Sequence, residues 1–492
     1  MDYVNLFELS DQGLKDFGKK VIDMLVEIRG HSTAGLFAEK KSEAFLTEEL
    51  DQLLPQNGQC PQEVLAVFQK EIAPLLFNSS QPKIGQLMAS PIALLSFIDL
   101  ITSFLNIQPY AQVNQHIEKL VVQWLSQMVG YRDDCSGILT NGGTISNLYA
   151  LAVARVNKLN YDVRVSGYQQ ANLIVYTSEE CHSSINKSVE LLGIGSDNLS
   201  IVESDNHFRM RADCLEEAIQ CDLANHRQPF CIVANLGNVR TGSVDPIAEL
   251  AVIAQRYGLW LHLDGAYGAF GALCLERREL FKAVHLADSI TIDPHKWLNV
   301  PIESSCLLVS DRKHLLNAFD HVPDYLGISP FDTSNPIRHN FELTKSDRAL
   351  KTWFALKLFG VNKYRALVTS HIRYIEKFAR KIKDQDDFQL LCEPELSICC
   401  FRYIPLRLVS EKEHCGFYLN NLNKAIETSL KTKEDFYVTS VKIKDVVMLR
   451  LCIINYRFEE SFLELLIDLI RMNGQKLDTK MSAPHLESVT RF

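Results

Sequence analysis

The pattern of apolar and polar positions changes along the chain. Leu14, Phe17, Val21 and Met24 recur at helical spacing, which predicts that the N-terminal part is helical. From Asn141 to about Ser310, short apolar runs of strand type alternate with longer helical ones. The strand-type runs cover Asn172–Tyr176, Leu199–Val202, Phe230–Ala234, Leu259–Leu263, Ser289–Ile292 and Cys306–Val309. This alternation predicts a mainly parallel sheet wrapped by helices, whose ligands collect at the carboxyl ends of the strands.

Beyond the alternating region the chain predicts a loop and a smaller domain. A segment rich in Pro, Ser, Asn and Asp runs from His321 to Asn340, and we interpret it as a lid because loops of this length are usually functional. Asp347–Lys383 is helical, and a strand over Val446–Ile454 precedes a helix over Phe458–Met472. We divide the chain into a helical segment (1–95), a large domain (96–345), a small C-terminal domain (346–475) and a flexible tail (476–492).

Composition and charge narrow the class of protein. Apolar residues make up 47% and charged residues 23%, the balance of an ordinary globular protein. A net charge of -9 without a dense basic run argues against nucleic-acid binding. The 13 cysteines lack a disulfide spacing, and the acidic start shows no export signal, so we expect free thiols and a cytoplasmic protein. Asp99 and Asn106 interrupt the apolar stretch Pro91–Ile107, which predicts a buried core helix and not a membrane span.

The strongest local motif is Thr291-Ile-Asp-Pro-His-Lys-Trp297, which places a lysine just after a predicted strand. Beside His295 and the apolar Trp297 and Leu298, the amine of Lys296 is expected to lose its proton more easily than a surface lysine. Schiff-base chemistry needs such an amine. A surface lysine in a turn remains the alternative interpretation of this short motif.

Asp264 ends a second apolar strand, in Leu261-His-Leu-Asp-Gly-Ala-Tyr267. A buried carboxylate at this place is costly unless a cation pairs with it, and a protonated pyridine nitrogen is such a cation. The small residues Gly265 and Ala266 leave room for a flat ring. A structural aspartate that caps the next helix is the alternative.

Two further motifs precede these in the chain. Leu139-Thr-Asn-Gly-Gly-Thr144 leads directly into a helix, and its free amides together with the Thr144 hydroxyl suit a phosphate. It lacks the Lys-Ser/Thr ending of a nucleotide P-loop and the third glycine of a dinucleotide site. Glu179-Glu-Cys-His182 follows a strand and presents an imidazole that is able to stack on a ring, although a lone histidine there is more often structural.

In their residues and in their order along the chain, these motifs resemble those of the group II pyridoxal-phosphate decarboxylases, which include the aromatic amino acid, glutamate and cysteine sulfinate decarboxylases. The resemblance extends from Ser80-Gln-Pro-Lys-Ile-Gly-Gln86 to Leu449-Arg-Leu451. It implies an α/β protein of the PLP-dependent transferase-like fold type I, with a mainly parallel seven-stranded sheet in the large domain and a smaller α+β domain. It also implies a homodimer with active sites at the subunit interface.

The same resemblance assigns the cofactor site. Gly143 and Thr144 would bind the phosphate, His182 would stack on the ring, Asp264 would pair with the pyridine nitrogen and Ala266 would lie under the ring.

The resemblance to this family also assigns the other site residues. Asp293 and His295 would complete the cofactor site, and Lys296 would form the Schiff base, with His182 and Asp264 as its catalytic companions. For the substrate, the candidates are Gln86, Arg450 and His339, while a solvated charge on an edge strand remains open for Arg450. We predict no metal site, because Cys399 and Cys400 would point to opposite faces of a strand and His262 with Asp264 lacks a third ligand.

Three departures from the family pattern bear on the product and the substrate. The loop stretch Gly327–Asn340 contains no tyrosine, the residue that family members commonly use to donate a proton, and Phe331 or His339 would take comparable space. We therefore hypothesise partial diversion from the amine to an aldehyde. Gly237-Asn-Val-Arg-Thr241 replaces the usual GTT, and Asp293 stands where an asparagine is frequent.

The sequence predicts a PLP-dependent carboxy-lyase that converts an aromatic or acidic L-amino acid into an amine and CO2. The sequence motif around Lys296 argues weakly against glutamate as the substrate. An aldehyde synthase, another fold type I lyase or transaminase, and a catalytically inactive scaffold are the alternatives.

Overall fold

The computed structural model describes residues 7–30, 56–76, 79–108, 111–159, 162–167, 172–322, 335–412, 414–434 and 436–482. The α-helices are α1 (Asp11–Gly30), α2 (Pro61–Val67), α3 (Ala93–Phe104), α4 (Gln112–Val129), α5 (Gly143–Lys158), α6 (Val163–Ser166), α7 (Ser184–Leu191), α8 (Ala212–Ala224), α9 (Ile247–Tyr257), α10 (Arg278–Phe281), α11 (Pro294–Trp297), α12 (Arg312–Phe319), α13 (Arg348–Lys383), α14 (Gly416–Lys433) and α15 (Phe462–Ser482). The strands are β1 (Ser136–Thr140), β2 (Leu173–Ser178), β3 (Leu199–Val202), β4 (Gln228–Asn235), β5 (Trp260–Asp264), β6 (Ser289–Ile292), β7 (Ser305–Val309), β8 (Phe388–Leu390), β9 (Ile398–Tyr403), β10 (Thr439–Ile443) and β11 (Val446–Cys452).

The larger sheet has seven strands in the order β1-β7-β6-β5-β4-β2-β3. The pairs from β6 through β5, β4 and β2 to β3 are parallel, and β7 runs antiparallel to both of its neighbours. Every residue of β2, β5, β6 and β7 is buried, because helices cover both faces of this sheet. The prediction of a mainly parallel seven-stranded sheet in an α/β protein is therefore confirmed.

A second, antiparallel sheet has the order β10-β11-β9-β8 and packs against α13, α14 and α15. Tyr267, just beyond β5, ties the two sheets together. Its hydroxyl lies 2.6 Å from Ser397 Oγ and accepts a hydrogen bond from the Ser397 amide at 2.9 Å. Its ring stacks on Trp297 at 5.2 Å between centroids. These contacts hold the end of β5 and the residues after β6 in one rigid unit.

Two predictions about the helices are wrong. α3 was expected to be a buried core helix, but in the single chain only Leu95 and Ile98 are buried, while Phe97, Leu100 and Phe104 are exposed. The flexible tail was expected to begin at Lys476, but α15 continues to Ser482. Its last turns are held because Arg407 and Tyr418 bind the carboxylate of Asp478.

Two other predictions concern the lid and the membrane. Of the predicted lid, residues 323–334, including Phe331, lie outside the described part, and the remainder contains the short helical turn Pro336–His339. Among the helices of the described residues, none combines the length and the apolar character that crossing a membrane requires.

Candidate active site

The predicted cofactor residues meet in one cavity of about 500 Å³ at the carboxyl ends of the parallel strands. They come from separate elements of the sheet, and their meeting follows from the common direction of its strands. The cavity is lined by all eight of them: Gly143, Thr144, His182, Asp264, Ala266, Asp293, His295 and Lys296. The sequence motifs therefore identify one site and not four unrelated turns.

Lys296 lines the cavity and is held there by an ion pair. Its Nζ lies 3.0 Å from Asp293 Oδ2, and the side chains are 27% and 1% exposed. Burial alone would lower the pKa of Lys296, but Asp293 and Asp264 outweigh it and raise this pKa above its ordinary value. The expectation that the amine loses its proton unusually easily is therefore wrong, because it considered the apolar neighbours and left out the two carboxylates.

Asp293 also faces His295. Burial would raise the pKa of Asp293, but Lys296 and His295 outweigh it and hold this pKa below its ordinary value. His295 accepts a hydrogen bond on Nδ1 from the Ser304 amide at 3.1 Å, so its proton lies on Nε2, 3.5 Å from Asp293 Oδ2. Burial lowers the pKa of His295, which agrees with a neutral ring. The carboxylate therefore faces one cation and one neutral donor.

The start of α5 forms a backbone cradle beside this pair. A helix leaves the amides of its first residues without intrahelical acceptors, and here these residues are Gly143 and Thr144. A Cβ atom on Gly143 would meet Asp293 Oδ2 at 2.9 Å and Ala266 Cβ at 3.1 Å. Only glycine thus lets the backbone approach the cavity so closely.

Asp264 ends β5 and is buried with two donors on its carboxylate. Asn147 Nδ2 donates to Oδ2 at 2.8 Å, and the Ala266 amide donates to Oδ1 at 3.2 Å. The two donors hold the carboxylate in one orientation. Asp264 is therefore prepared to pair with a cationic group in the cavity.

His182 lines the same cavity and has a defined tautomer. The Ser184 amide lies 3.2 Å from His182 Nδ1, and Ser184 Oγ lies 2.9 Å from the same atom. A backbone amide only donates, so Nδ1 accepts and the ring proton lies on Nε2.

The pyridoxal-dependent decarboxylase conserved domain matches residues 45–404 of this chain. The chain belongs to that family. An aromatic-L-amino-acid decarboxylase of Bacillus atrophaeus is 29% identical over 458 residues, which cover 92% of this chain and 93% of that protein. The acidic amino acid decarboxylase GADL1 of Bos taurus is 32% identical over 310 residues, 61% of this chain and 58% of that one. The crystal structure of Oryza sativa TDC with PLP and tryptamine has a TM-score of 0.89 at 21% identity, covering 96% of this chain and 100% of that one.

These similarities confirm the resemblance found in the sequence, including fold type I. The protein is a carboxy-lyase of the pyridoxal-dependent amino acid decarboxylases, and its cofactor is pyridoxal phosphate. The residues present fit this group: an amide cradle that a Cβ atom would fill, a carboxylate with two donors, and a lysine amine all face one cavity.

The three residues predicted to bind substrate do not line the decarboxylase cavity. Gln86 is buried with its amide nitrogen 3.6 Å from Met88 Sδ. Arg450 donates to the carbonyl of Val239 and to Thr439 Oγ1, so its guanidinium supports the loop after β4. His339 is buried on the turn Pro336–His339. In the single chain, none of the three therefore reaches the cavity, because each is held by the packing around it.

The sequence did not point to several residues that do line this cavity. Leu87, Val239 and Ile302 supply apolar walls, and Asn147 and Asn235 supply amides. Val239 lies within the replaced GTT segment, which means that a methyl-bearing side chain without a hydroxyl faces the cavity there. Of these residues, Asn147 could have been found from the sequence, since it follows the glycine cradle by one helical turn and therefore faces the same way.

Proposed function

We propose that this protein decarboxylates an aromatic L-amino acid, with its pyridoxal phosphate attached through Lys296. One observation supports this most: a single cavity brings together the Lys296 amine, the Asp264 carboxylate and the amide cradle at Gly143. No surface lysine in a turn would lie 3.0 Å from a carboxylate that is 1% exposed.

Each residue then has a task that its own chemistry supports. When bound, pyridoxal phosphate accepts the electron pair that carbon dioxide leaves behind. The amides of Gly143 and Thr144 would hold its phosphate, and Asp264 would hold the proton on its ring nitrogen. His182 would pack on the ring with its own proton on Nε2, and Asp293 would face the attachment point at Lys296.

The walls of the cavity favour an aromatic over an acidic substrate. Lys296 is the only lysine or arginine among the described residues that line the cavity. Three other lining residues, Leu87, Val239 and Ile302, are apolar. The guanidinium of Arg450 is directed to the Val239 carbonyl and to Thr439 Oγ1 and does not line this cavity. A buried carboxylate without a cation is costly, and an aromatic side chain gains from apolar burial. The relative that covers 92% of this chain is an aromatic-L-amino-acid decarboxylase.

We further propose a homodimer in the cytoplasm. α3 presents an apolar strip to solvent in the single chain, formed by Leu94, Phe97, Leu100, Ile101 and Phe104. This helix begins beside the site, since the Ile92 amide donates to the carbonyl of Asn299 at 3.0 Å. A second copy that covers the strip would therefore lie at the cavity entrance. All 13 cysteines are free thiols, which suits a reducing compartment.

The attachment point is tested by absorbance before and after borohydride, followed by peptide mapping. We expect a cofactor band that collapses on reduction and a pyridoxyl group on Lys296. Lys296→Ala should lose the adduct. Lys345→Met should keep it, because Lys345 is even less exposed, at 6% against 27% for Lys296, but pairs with Glu118 at 2.8 Å outside the cavity. A band that persists in Lys296→Ala would refute the assignment, and no band after added cofactor would favour an inactive scaffold.

Substrate and product are tested together. Release of CO2 is measured with phenylalanine, tyrosine, tryptophan, aspartate, glutamate and cysteine sulfinate, and the organic product is identified in each case. We expect kcat/KM to be highest for an aromatic substrate. A stoichiometric amine without aldehyde, ammonia or peroxide would refute the diversion hypothesis, whereas an acidic substrate with the highest kcat/KM would refute the argument from the cavity walls.

The dimer is tested by sedimentation. Leu100→Glu places a charge in the middle of the α3 strip and should give monomers, while Leu191→Glu, at an exposed leucine of α7, should not. Monomeric wild-type protein at micromolar concentration would refute the dimer.

A further inference from the structure

A line of buried hydrogen bonds leads from Trp260 to the ring-binding carboxylate. Trp260 Nε1 donates to Ser289 Oγ at 2.9 Å, and Ser289 Oγ lies 2.8 Å from His262 Nδ1. His262 Nε2 lies 3.1 Å from Asn147 Oδ1, and Asn147 Nδ2 donates to Asp264 Oδ2 at 2.8 Å. Apart from Asp264, which is 8% exposed, each member is at most 1% exposed.

The direction of these hydrogen bonds follows from chemistry. An ionised carboxylate only accepts, so the atom of Asn147 that faces Asp264 is the amide nitrogen and the atom that faces His262 is the oxygen. His262 Nε2 must then donate, and His262 Nδ1 must accept from the Ser289 hydroxyl. Burial lowers the pKa of His262 to about 4, which keeps the ring neutral and allows this arrangement. Every donor from the indole onward thus points towards Asp264.

Asn147 has a second arm towards the stacking histidine. Its Nδ2 also donates to Ser184 Oγ at 2.9 Å, and that hydroxyl is free to donate to His182 Nδ1 at 2.9 Å. One amide group therefore contacts both Asp264 and the hydroxyl that lies against the residue proposed to cover the ring face. Because Asn147 lies on α5, the helix that also supplies the phosphate cradle is the one that orients both groups.

We propose that Asn147 and His262 are positioning residues that fix the orientation and the negative charge of Asp264, and through it the protonated state of the cofactor ring nitrogen. This inference rests on the proposed function. Neither side chain needs to touch the substrate, since both act through Asp264. Without the amide donor, Asp264 Oδ2 would lose its side-chain hydrogen bond, and the carboxylate would be free to rotate or to take up a proton itself.

The test uses the holoprotein reconstituted with pyridoxal phosphate that carries 15N at the ring nitrogen. The 15N chemical shift reports directly whether this nitrogen holds a proton, and it is recorded beside the cofactor Kd and the split of activity into kcat and KM. The variants are Asn147→Ala, His262→Phe and His262→Gln, the last of which keeps a donor towards Asn147. The matched control is Asn423→Ala, because Asn423 is a fully buried asparagine with three hydrogen bonds to the backbone of the small domain.

We expect Asn147→Ala and His262→Phe to move the 15N shift towards the unprotonated value and to weaken cofactor binding about tenfold or more, since a hydrogen bond to a charged group is lost or misdirected. kcat should fall more than KM rises. His262→Gln should recover most of the loss, and Asn423→Ala should lower Tm without moving the 15N shift.

Two results would overturn the inference alone: a cofactor-loaded Asn147→Ala protein with an unchanged 15N shift, or a His262→Gln protein as defective as His262→Phe. If Asn147→Ala does not fold, the two His262 variants decide the question by the same criterion. A wild-type chain that takes up no cofactor would overturn the proposed function and this inference together.

Discussion

The ion pair between Asp293 and Lys296 raises the pKa of the amine that we propose attaches the cofactor, and Asp293→Asn removes this pair with little change in shape. The two charged atoms are 3.0 Å apart, which corresponds to a Coulomb energy of about 1.4 kcal/mol at the dielectric constant of water and about 5.5 kcal/mol at an effective value near 20. Because the lysine side chain is 27% exposed and the aspartate 1%, we expect an effect between these limits.

The consequence is a faster attachment of the cofactor in the variant. Only the unprotonated amine attacks a carbonyl, and Asp293 raises the pKa of Lys296 against the effect of burial. Without the carboxylate this pKa falls, so at neutral pH the reactive fraction grows at least about tenfold, the factor that corresponds to the lower energy limit. The measurement is the rate of cofactor attachment, followed by stopped-flow absorbance from about pH 6 to pH 10 on a cofactor-free preparation.

A matched control separates this effect from a general loss of a buried charge. Glu118→Gln removes the carboxylate from another buried pair, Glu118 with Lys345 at 2.8 Å, and should leave the attachment rate unchanged. Equal rates for wild type and Asp293→Asn across the whole pH range would refute the reasoning. A lower rate in the variant at every pH would do the same.

Three further predictions concern stability and binding. Burial raises the pKa of Glu180 to about 7, so between about pH 4.5 and pH 7 the folded state binds a proton that the unfolded state does not, and stability falls as pH rises through this window. Glu180→Gln should flatten the dependence of Tm on pH in this window, and an unchanged slope would contradict the prediction. Tyr267→Phe removes two hydrogen bonds with Ser397 and should cost about 1 to 3 kcal/mol of unfolding free energy, measured by urea denaturation, with no loss if the contact is unimportant. Gly143→Val should weaken cofactor binding at least about tenfold in a dialysis assay, because even its Cβ would meet Asp293 at 2.9 Å, and an unchanged Kd would contradict the cradle.

Two strands of the large sheet were predictable from short apolar runs between helical segments. Leu199–Val202 and Ser289–Ile292 have the bounds that the sequence predicts. Ser136–Thr140 was not predicted, because its pairing with β7 depends on residues that are distant along the chain. α3 was misjudged because more of its apolar residues are exposed than buried in the single chain, and sequence alone does not show which side another chain would cover.

Some residues of the candidate site were likewise predictable from the sequence, and others were not. Motifs at strand ends identified eight residues that do line one cavity, because the carboxyl ends of parallel strands meet at one edge. Arg450 was assigned to the substrate by resemblance to the family, and sequence alone could not show its acceptor at Val239, which is far away along the chain. The role proposed for Asn147 likewise needed the distance to Asp264.

The two carboxylates that raise the pKa of Lys296 differ in how far the sequence alone could have indicated them. Asp293 occupies the N-cap position of the short helix α11, and a residue three positions further falls on the same side. Their ion pair is therefore local and could have been predicted from Asp-Pro-His-Lys alone. Asp264 reaches the same amine by another route: β5 and β6 are parallel, and their register places Asp264 opposite Thr291, two residues before Asp293. The first carboxylate follows from helix spacing and the second from strand register, and both oppose the effect of burial. A lysine flanked by apolar residues therefore has a raised pKa and not a lowered one.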